Sequence, residues 1–178
     1  MSKYYTHTDG ELIELFLQGE QAAFAELVER HSGRAYQIAF GILNNKEDAE
    51  EVAQDAFLRI YKALPKFRGD SEFTTWMYRI VINLSRNKYR WNKVRGGDKS
   101  WSIDVPIENA KGDGYLNVEL PDDRMDPSEQ LVYSELKDKL MDAMDALPEA
   151  YREAVVLRNV KGLSYDEIAE LLNCKVGT

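Results

Sequence analysis

Residues 67–95 read as a helix with two different faces, and this pattern constrains the fold more than any other in the chain. The apolar residues recur at spacings of three and four, which is typical of a buried helix stripe: Phe73, Trp76, Met77, Ile80, Val81 and Leu84. Trp76 lies on this stripe and is predicted to be in the core, with Tyr78 nearer the surface. This face is therefore predicted to form part of a core.

A row of polar residues follows another face of the same helix at spacings of four, three, four and three: Arg79, Asn83, Arg86, Arg90 and Lys93. Between Arg79 and Arg95 there are six Lys or Arg and no acid, although the whole chain has a net charge of −8. A basic run is often only a solvated helix face. However, Arg and Asn also bind bases and phosphates, and a polyanion senses local charge within roughly 8 Å. We interpret this helix as binding nucleic acid.

The composition indicates a globular protein. At 178 residues and 44% hydrophobic content the chain can bury a core, and we expect two small domains. It has no run of about 18 apolar residues and no signal-peptide pattern at its start, so we expect a cytoplasmic protein. The single Cys174 excludes an internal disulfide, and with only His7 and His31 besides we expect no metal site and no cofactor. With an acidic total, DNA contact is predicted to be local or assisted.

Three more helices are predicted before the basic one. A capping box at residues 8–11 opens the first, the second runs over about residues 20–43, and the third over about residues 46–65. Residues 44–45, both Asn, are predicted to form the turn between the second and the third. Together with the basic helix, these elements predict a four-helix domain over residues 1–95.

Residues 96–126 differ in composition from both flanks. They contain four glycines and two prolines, show neither helix nor strand periodicity, and are rich in acids. We predict a flexible acidic linker. Helices resume at Pro127, which suits a first helical position, so a second small helical domain is predicted over residues 127–178.

The second domain is predicted to end in a partial helix-turn-helix. Its middle helix is predicted to turn these residues toward the core: Tyr151, Ala154, Val155 and Leu157. A capping box at Ser164 and a turn at residues 173–175 predict the first helix of the motif. The second, groove-reading helix would begin around Val176, and the sequence ends at Thr178, so we expect the native chain to be longer.

Four motifs, in this order, resemble the extracytoplasmic-function (ECF) sigma factors of bacteria, most closely the sigma-E type. They are residues 48–57 (DAEEVAQDAF), residues 67–71 (FRGDS) with residues 75–76 (TW), residues 79–83 (RIVIN), and residues 147–149 (LPE) followed by residues 162–169 (GLSYDEIA). The match spans nearly the whole chain. The family implies a first domain that binds the β′ clamp helices of core RNA polymerase and recognises the minus-ten promoter element. It implies a second domain that binds the β flap and reads the minus-thirty-five element.

The resemblance assigns polymerase binding to the third helix. The exposed side of that helix offers a mostly acidic face, which suits a basic partner helix. The candidate residues are Asp48, Glu51, Val52, Asp55, Leu58, Arg59 and Lys62. From the sequence alone, a solvated helix face would be the simpler interpretation.

The loop at residues 67–72 and the helix after it are implied to hold the minus-ten contacts. A protein without ATP chemistry can open a duplex only by binding the unpaired strand more tightly, so residues that read base edges or hold phosphates are suited to this task. The candidates are Phe67, Arg68, Gly69, Asp70, Ser71, Arg79, Asn83, Arg86, Asn87, Lys88, Arg90 and Lys93. The minus-thirty-five candidates in the second domain are Ser164, Tyr165, Lys175, Val176, Gly177 and Thr178.

The family also implies an anti-sigma factor that holds the two domains closed, and a path for the linker through the active-site and RNA-exit channels of the polymerase. Promoter DNA and core RNA polymerase are the other expected partners, and no small-molecule substrate is expected. A stand-alone helix-turn-helix transcription regulator is the alternative, but it leaves the basic helix without a purpose. An enzyme is disfavoured, because the sequence has no nucleophile paired with a base and no phosphate-binding loop.

Overall fold

A computed structural model describes residues 3–95, 127–159 and 163–177, and all regular structure in these ranges is helical. The chain divides into two compact units, Met1–Ala110 and Lys111–Thr178. The prediction of an all-α protein with two small helical regions is confirmed. The predicted linker at residues 96–126 lies outside the described residues.

Among its described residues the first unit has four α-helices, named α1 to α4 in chain order: Asp9–Leu17, Gln21–Leu43, Lys46–Ala63 and Phe73–Val94. Their ends follow the local sequence signals. Thr8 and Glu11 form the predicted capping box at the start of α1, and Asn44 ends α2 in the left-handed conformation with a φ of 51°. The Asn45 side chain accepts a hydrogen bond from the Asp48 amide and caps α3.

The core of the first unit forms where α2 packs against α1, α3 and α4. On α4 the predicted apolar stripe is buried at Phe73, Met77, Val81 and Leu84, while Trp76 and Ile80 are half-buried. The prediction that Tyr78 lies nearer the surface than Trp76 was wrong, because Tyr78 is buried. Since α4 packs against both α2 and α3, its buried face is wider than a single stripe and includes Tyr78.

A polar network joins α1 to α2. The Asp9 carboxylate lies 2.8 Å from the Nε2 atom of buried His31 and accepts a hydrogen bond of 2.8 Å from Arg30. Arg30 also donates to the His7 carbonyl at 3.0 Å. Burial by itself raises the pKa of the Asp9 carboxyl, but the hydrogen bonds and charges of His31 and Arg30 outweigh burial, and the net pKa is lowered. The carboxylate therefore stabilises the folded state.

In the described part of the second unit there are three α-helices, α5 to α7: Pro127–Ala146, Glu149–Arg158 and Tyr165–Leu172. Buried Arg152 donates to three carbonyls at the end of α5, those of Met144 at 2.9 Å, Asp145 at 2.9 Å and Leu147 at 3.1 Å. Such donors satisfy carbonyls that have no partner within their own helix. The end of α5 is thus tied to α6 by one guanidinium group.

The orientation of α6 differs from the prediction. Leu157 is buried as expected, but Tyr151 and Val155 are exposed and Ala154 is half-buried. The buried side carries Arg152, Glu153 and Val156 instead. The Arg152 side chain contacts the end of α5, and its neighbours on the same side of α6 face inward with it.

We expect Asp9→Asn to lower the free energy of unfolding at pH 7 by about 1 kcal/mol, because it removes a charged acceptor for His31 and Arg30. The pKa of the Asp9 carboxyl is lower in the folded state, so its contribution is complete above the unfolded pKa and is lost as the pH falls through the folded pKa. Urea unfolding at pH 7 and at about pH 3 measures this. The difference from the wild type should shrink at the lower pH. The exposed Glu14→Gln on the same helix is the control, and an equal effect of both would contradict the prediction.

Candidate functional site

The exposed side of α3 carries most of the predicted acidic face. The Glu51 side chain is 67% exposed, and Asp55 forms an ion pair of 3.0 Å with Arg59 one turn later. Leu58 and Lys62 are also exposed. Val52, which was predicted to belong to this face, is buried in the core. The accessible face is therefore charged along its length, with Leu58 as its large apolar residue.

The N-terminal half of this face is joined to α4. The Lys88 ammonium lies 3.1 Å from Asp48 and 2.5 Å from Glu51, and the Asn92 side chain donates to Asp48 at 2.6 Å. Sequence analysis placed Lys88 among the minus-ten candidates and Asp48 and Glu51 on the polymerase-binding face. The structure brings these three residues together.

An open cleft of about 350 Å³ runs between α3 and α4 beside this contact. Its lining combines acidic, apolar and aromatic side chains: Glu51, Val52, Asp55, Leu84, Asn87, Lys88 and Trp91. Trp91 is half-exposed, and the Arg95 guanidinium carbon lies 4.2 Å from the centre of its ring. Neither Trp91 nor Asn92 was singled out from the sequence. The signal for both was their position one turn after Asn87 and Lys88, on the side of α4 that faces α3.

The basic row of α4 lies along one side of the helix. Asn83, Arg90 and Lys93 are exposed, and Arg79 and Arg86 are half-buried. Their spacing places all five within one strip, because three or four residues make about one turn. Asn87 is exposed but also lines the cleft, so it borders both surfaces.

The loop between α3 and α4 has an anchored start and an exposed tip. The half-buried Phe67 ring contacts the Trp76 ring at 4.8 Å and lies perpendicular to Phe73, with ring centres 6.3 Å apart. Arg68, Gly69 and Asp70 are exposed, and Ser71 is half-buried. Phe67 therefore anchors the loop, and the accessible groups are those at its tip.

In the second unit, the predicted minus-thirty-five residues lie at the two ends of α7. Ser164 forms a capping box with Glu167, whose carboxylate accepts from the serine hydroxyl at 2.7 Å. Tyr165 is exposed, with the Arg158 guanidinium over its ring at 4.9 Å. Beyond α7, Lys175, Val176 and Gly177 are exposed, and Thr178 lies outside the described residues. Asn173 ends α7 in the left-handed conformation, which confirms the predicted turn.

Among the described residues, no group of three or more His, Cys, Asp or Glu side chains is arranged to hold a metal ion. In the same part of the chain, no helix is long and apolar enough to cross a membrane.

Two segments of the chain match known protein families. Residues 27–94 match the family Sigma-70 region 2, and residues 137–178 match Sigma-70, region 4. The first match includes the acidic face, the loop and the basic row. The second includes α6, α7 and the second half of α5.

Two relatives resemble the chain over nearly its whole length. RNA polymerase sigma-H factor of Pseudomonas aeruginosa is 35% identical over 96% of this chain and 85% of its own length. ECF RNA polymerase sigma-E factor of Escherichia coli is 36% identical over 96% of this chain and 86% of its own length. The chain belongs to the ECF sigma factors of the sigma-70 family.

A solved structure shares the fold. It is the sigma factor RpoE in complex with the anti-sigma factor NepR from Bartonella quintana, with a TM-score of 0.54 and 21% identity. The similarity covers 86% of this chain and 85% of that one. At this identity the likeness concerns the fold.

The backbone conformation of the loop is expected to require glycine at position 69. Its φ is +74°, a region that disfavours side chains, although a Cβ there would meet no atom within 4 Å. We expect Gly69→Ala to lower the free energy of unfolding by about 1 kcal/mol, because strain and not a clash opposes it. Gly10→Ala, inside α1 and equally open, should instead stabilise by about 0.5 kcal/mol. Chemical denaturation of both variants measures this, and a neutral or stabilising Gly69→Ala would contradict the argument.

Proposed function

We propose that the chain initiates transcription by joining core RNA polymerase to promoter DNA through two different faces of its first unit. The observation that carries the proposal is the arrangement of α3 and α4. One helix exposes acidic side chains, and its neighbour exposes a basic row on another side. Both lie within the segment that matches Sigma-70 region 2.

The acidic face of α3 is proposed to bind the β′ clamp helices. A carboxylate row favours a basic partner by steering its approach and by fixing its register. Asp55 and Arg59 present both signs of charge near the middle of the helix, and Leu58 adds an exposed apolar contact beside them. Glu51 extends the surface toward the start of α3.

The loop and the basic row of α4 are proposed to hold the unpaired minus-ten strand. Strand separation costs pairing and stacking energy, and this cost is met if the single strand binds more tightly than the duplex. Arg90 and Lys93 suit phosphate contacts, and Asn83 suits a base edge because its amide both donates and accepts. The exposed tip of the loop, Arg68–Asp70, suits a close approach to a base.

The second unit is proposed to bind the β flap and to read the minus-thirty-five element. The turn after α7 leads into Lys175 and Val176, both exposed and at the position where a groove-reading helix would begin. Tyr165 at the opposite end of α7 offers an aromatic group beside Arg158. These groups are suited to contacts with a DNA backbone.

An anti-sigma factor is proposed as the regulator, since a sigma factor with this fold has been solved with one bound. We propose that the chain performs no chemistry of its own and that it acts in the cytoplasm, where bacterial polymerase works. It then contributes to initiation only through the free energy with which it binds polymerase and DNA.

Charge reversal at Asp55 should weaken binding to purified core RNA polymerase by about tenfold, because it places like charges against a basic partner. Fluorescence anisotropy with labelled protein measures the affinity. The control is Glu29→Lys on α2, an equally large charge change at an exposed site outside α3. Absence of wild-type binding would favour a stand-alone DNA-binding regulator, and equal losses in both variants would indicate a general charge effect.

Asn83→Ala and Arg90→Gln should affect binding to single-stranded minus-ten DNA differently. Arg90→Gln should reduce the slope of log affinity against log salt by about 0.7, because one phosphate contact is lost. Asn83→Ala should leave that slope unchanged and reduce discrimination between cognate and scrambled strands by about tenfold. Titrations at several salt concentrations separate the two. Equal behaviour of cognate and scrambled strands in the wild type would contradict base reading by Asn83.

A further inference from the structure

Lys88 lies on the opposite side of α4 from the basic row. It follows Met77, Val81 and Leu84 at spacings of four, three and four, so it continues the buried stripe of the helix. With 100° per residue, it points about 180° away from the centre of the row that contains Arg79 and Arg90. Its place in a basic run therefore does not place it on the basic surface.

The Lys88 ammonium is surrounded by side chains at the contact between α3 and α4. It lies 3.1 Å from Asp48 and 2.5 Å from Glu51, and it sits 5.4 Å from the centre of the Trp91 ring. Only 19% of the Lys88 side chain is exposed. To reach a phosphate, Lys88 would have to leave two carboxylates and an aromatic ring.

Asp48 is held from two directions by α4. Its Oδ1 atom faces Lys88, and its Oδ2 atom accepts a hydrogen bond of 2.6 Å from Asn92, one turn after Lys88. Its backbone amide is already used in capping α3. The Asp48 carboxylate is therefore fixed in one orientation.

The row of carboxylates on α3 is stabilised by a positive charge from α4. Asp48, Glu51 and Asp55 follow one another at spacings of three and four, so like charges meet along one side of α3. Burial by itself lowers the pKa of Lys88, but its contacts with Glu51 and Asp48 outweigh burial, and the net pKa is raised. Lys88 therefore keeps its charge, and this charge offsets the repulsion between the carboxylates.

We propose that Lys88 is a positioning residue of the polymerase-binding surface, holding the Asp48 and Glu51 carboxylates in place for a basic partner helix, and that it does not contact promoter DNA. This inference rests on the proposed function. It moves one of the predicted minus-ten residues to the proposed polymerase-binding surface. It also makes the C-terminal half of α4 a support for the acidic face of α3.

Lys88→Met tests the inference, because it removes the charge and keeps most of the side-chain length. Two affinities are measured: one for core RNA polymerase, and one for single-stranded minus-ten DNA over a series of salt concentrations. We expect Lys88→Met to weaken polymerase binding threefold to tenfold and to leave the salt slope for DNA unchanged. Lys88→Arg, which keeps the charge, should restore polymerase affinity to within twofold. Arg90→Gln is the matched control on the same helix and should show the reverse pattern.

Thermal unfolding of each variant, followed by circular dichroism, ensures that binding is compared between folded proteins. If Lys88→Met folds poorly, the same two affinities are measured for Lys88→Arg and for the double variant Lys88→Met/Glu51→Gln. In the double variant the loss from Lys88→Met should be smaller than in the wild-type background, because Glu51 no longer needs a counter-charge. A lowered DNA salt slope, or polymerase affinity that is unchanged or increased, overturns the inference. Absence of wild-type polymerase binding would instead overturn the proposed function.

Discussion

The packing of α4 against both α2 and α3 is the constraint on which the rest of the first unit depends. Two neighbours cover most of the circumference of this helix, so Met77, Tyr78, Val81 and Ile82 are all buried. The Arg and Asn side chains of the basic row lie along a side of α4 that these two neighbours leave uncovered. The core and the proposed nucleic-acid surface are thus two consequences of the same packing.

Ion pairs between charged side chains also join the helices of the first unit. On one side Asp9 links α1 to His31 of α2, and the His31 ring also lies 5.5 Å from the Phe73 ring at the start of α4. On the other side Lys88 links α4 to α3. Partly buried pairs of this kind contribute more to geometry than exposed pairs do, because solvent screens them less. The two contacts lie near the start of α4, which follows the loop, and near the start of α3, which has the acidic face.

In the second unit, one charged side chain joins two helices. The Arg152 guanidinium donates to the carbonyls of Met144 and Asp145 at the end of α5 and of Leu147 just after it, so the side of α6 that carries Arg152 faces inward. Tyr151 and Val155 then face outward although they are large and apolar. An apolar residue is not by itself a sign of burial, since many such residues remain on protein surfaces.

Local patterns in the sequence determined the helices, their caps at Thr8, Asn44 and Ser164, and the existence of a basic row, because these depend on contacts within about one turn. Motif order was enough to indicate the sigma-factor family. Burial of Tyr78, the rotation of α6 and the partners of Lys88 were decided only by tertiary structure. Each depends on which neighbouring helix lies opposite a given face, and periodicity within one helix carries no information about that. Lys88 continues the spacing of the buried stripe. Only its contacts with Asp48 and Glu51 on α3 explain why this position holds a lysine.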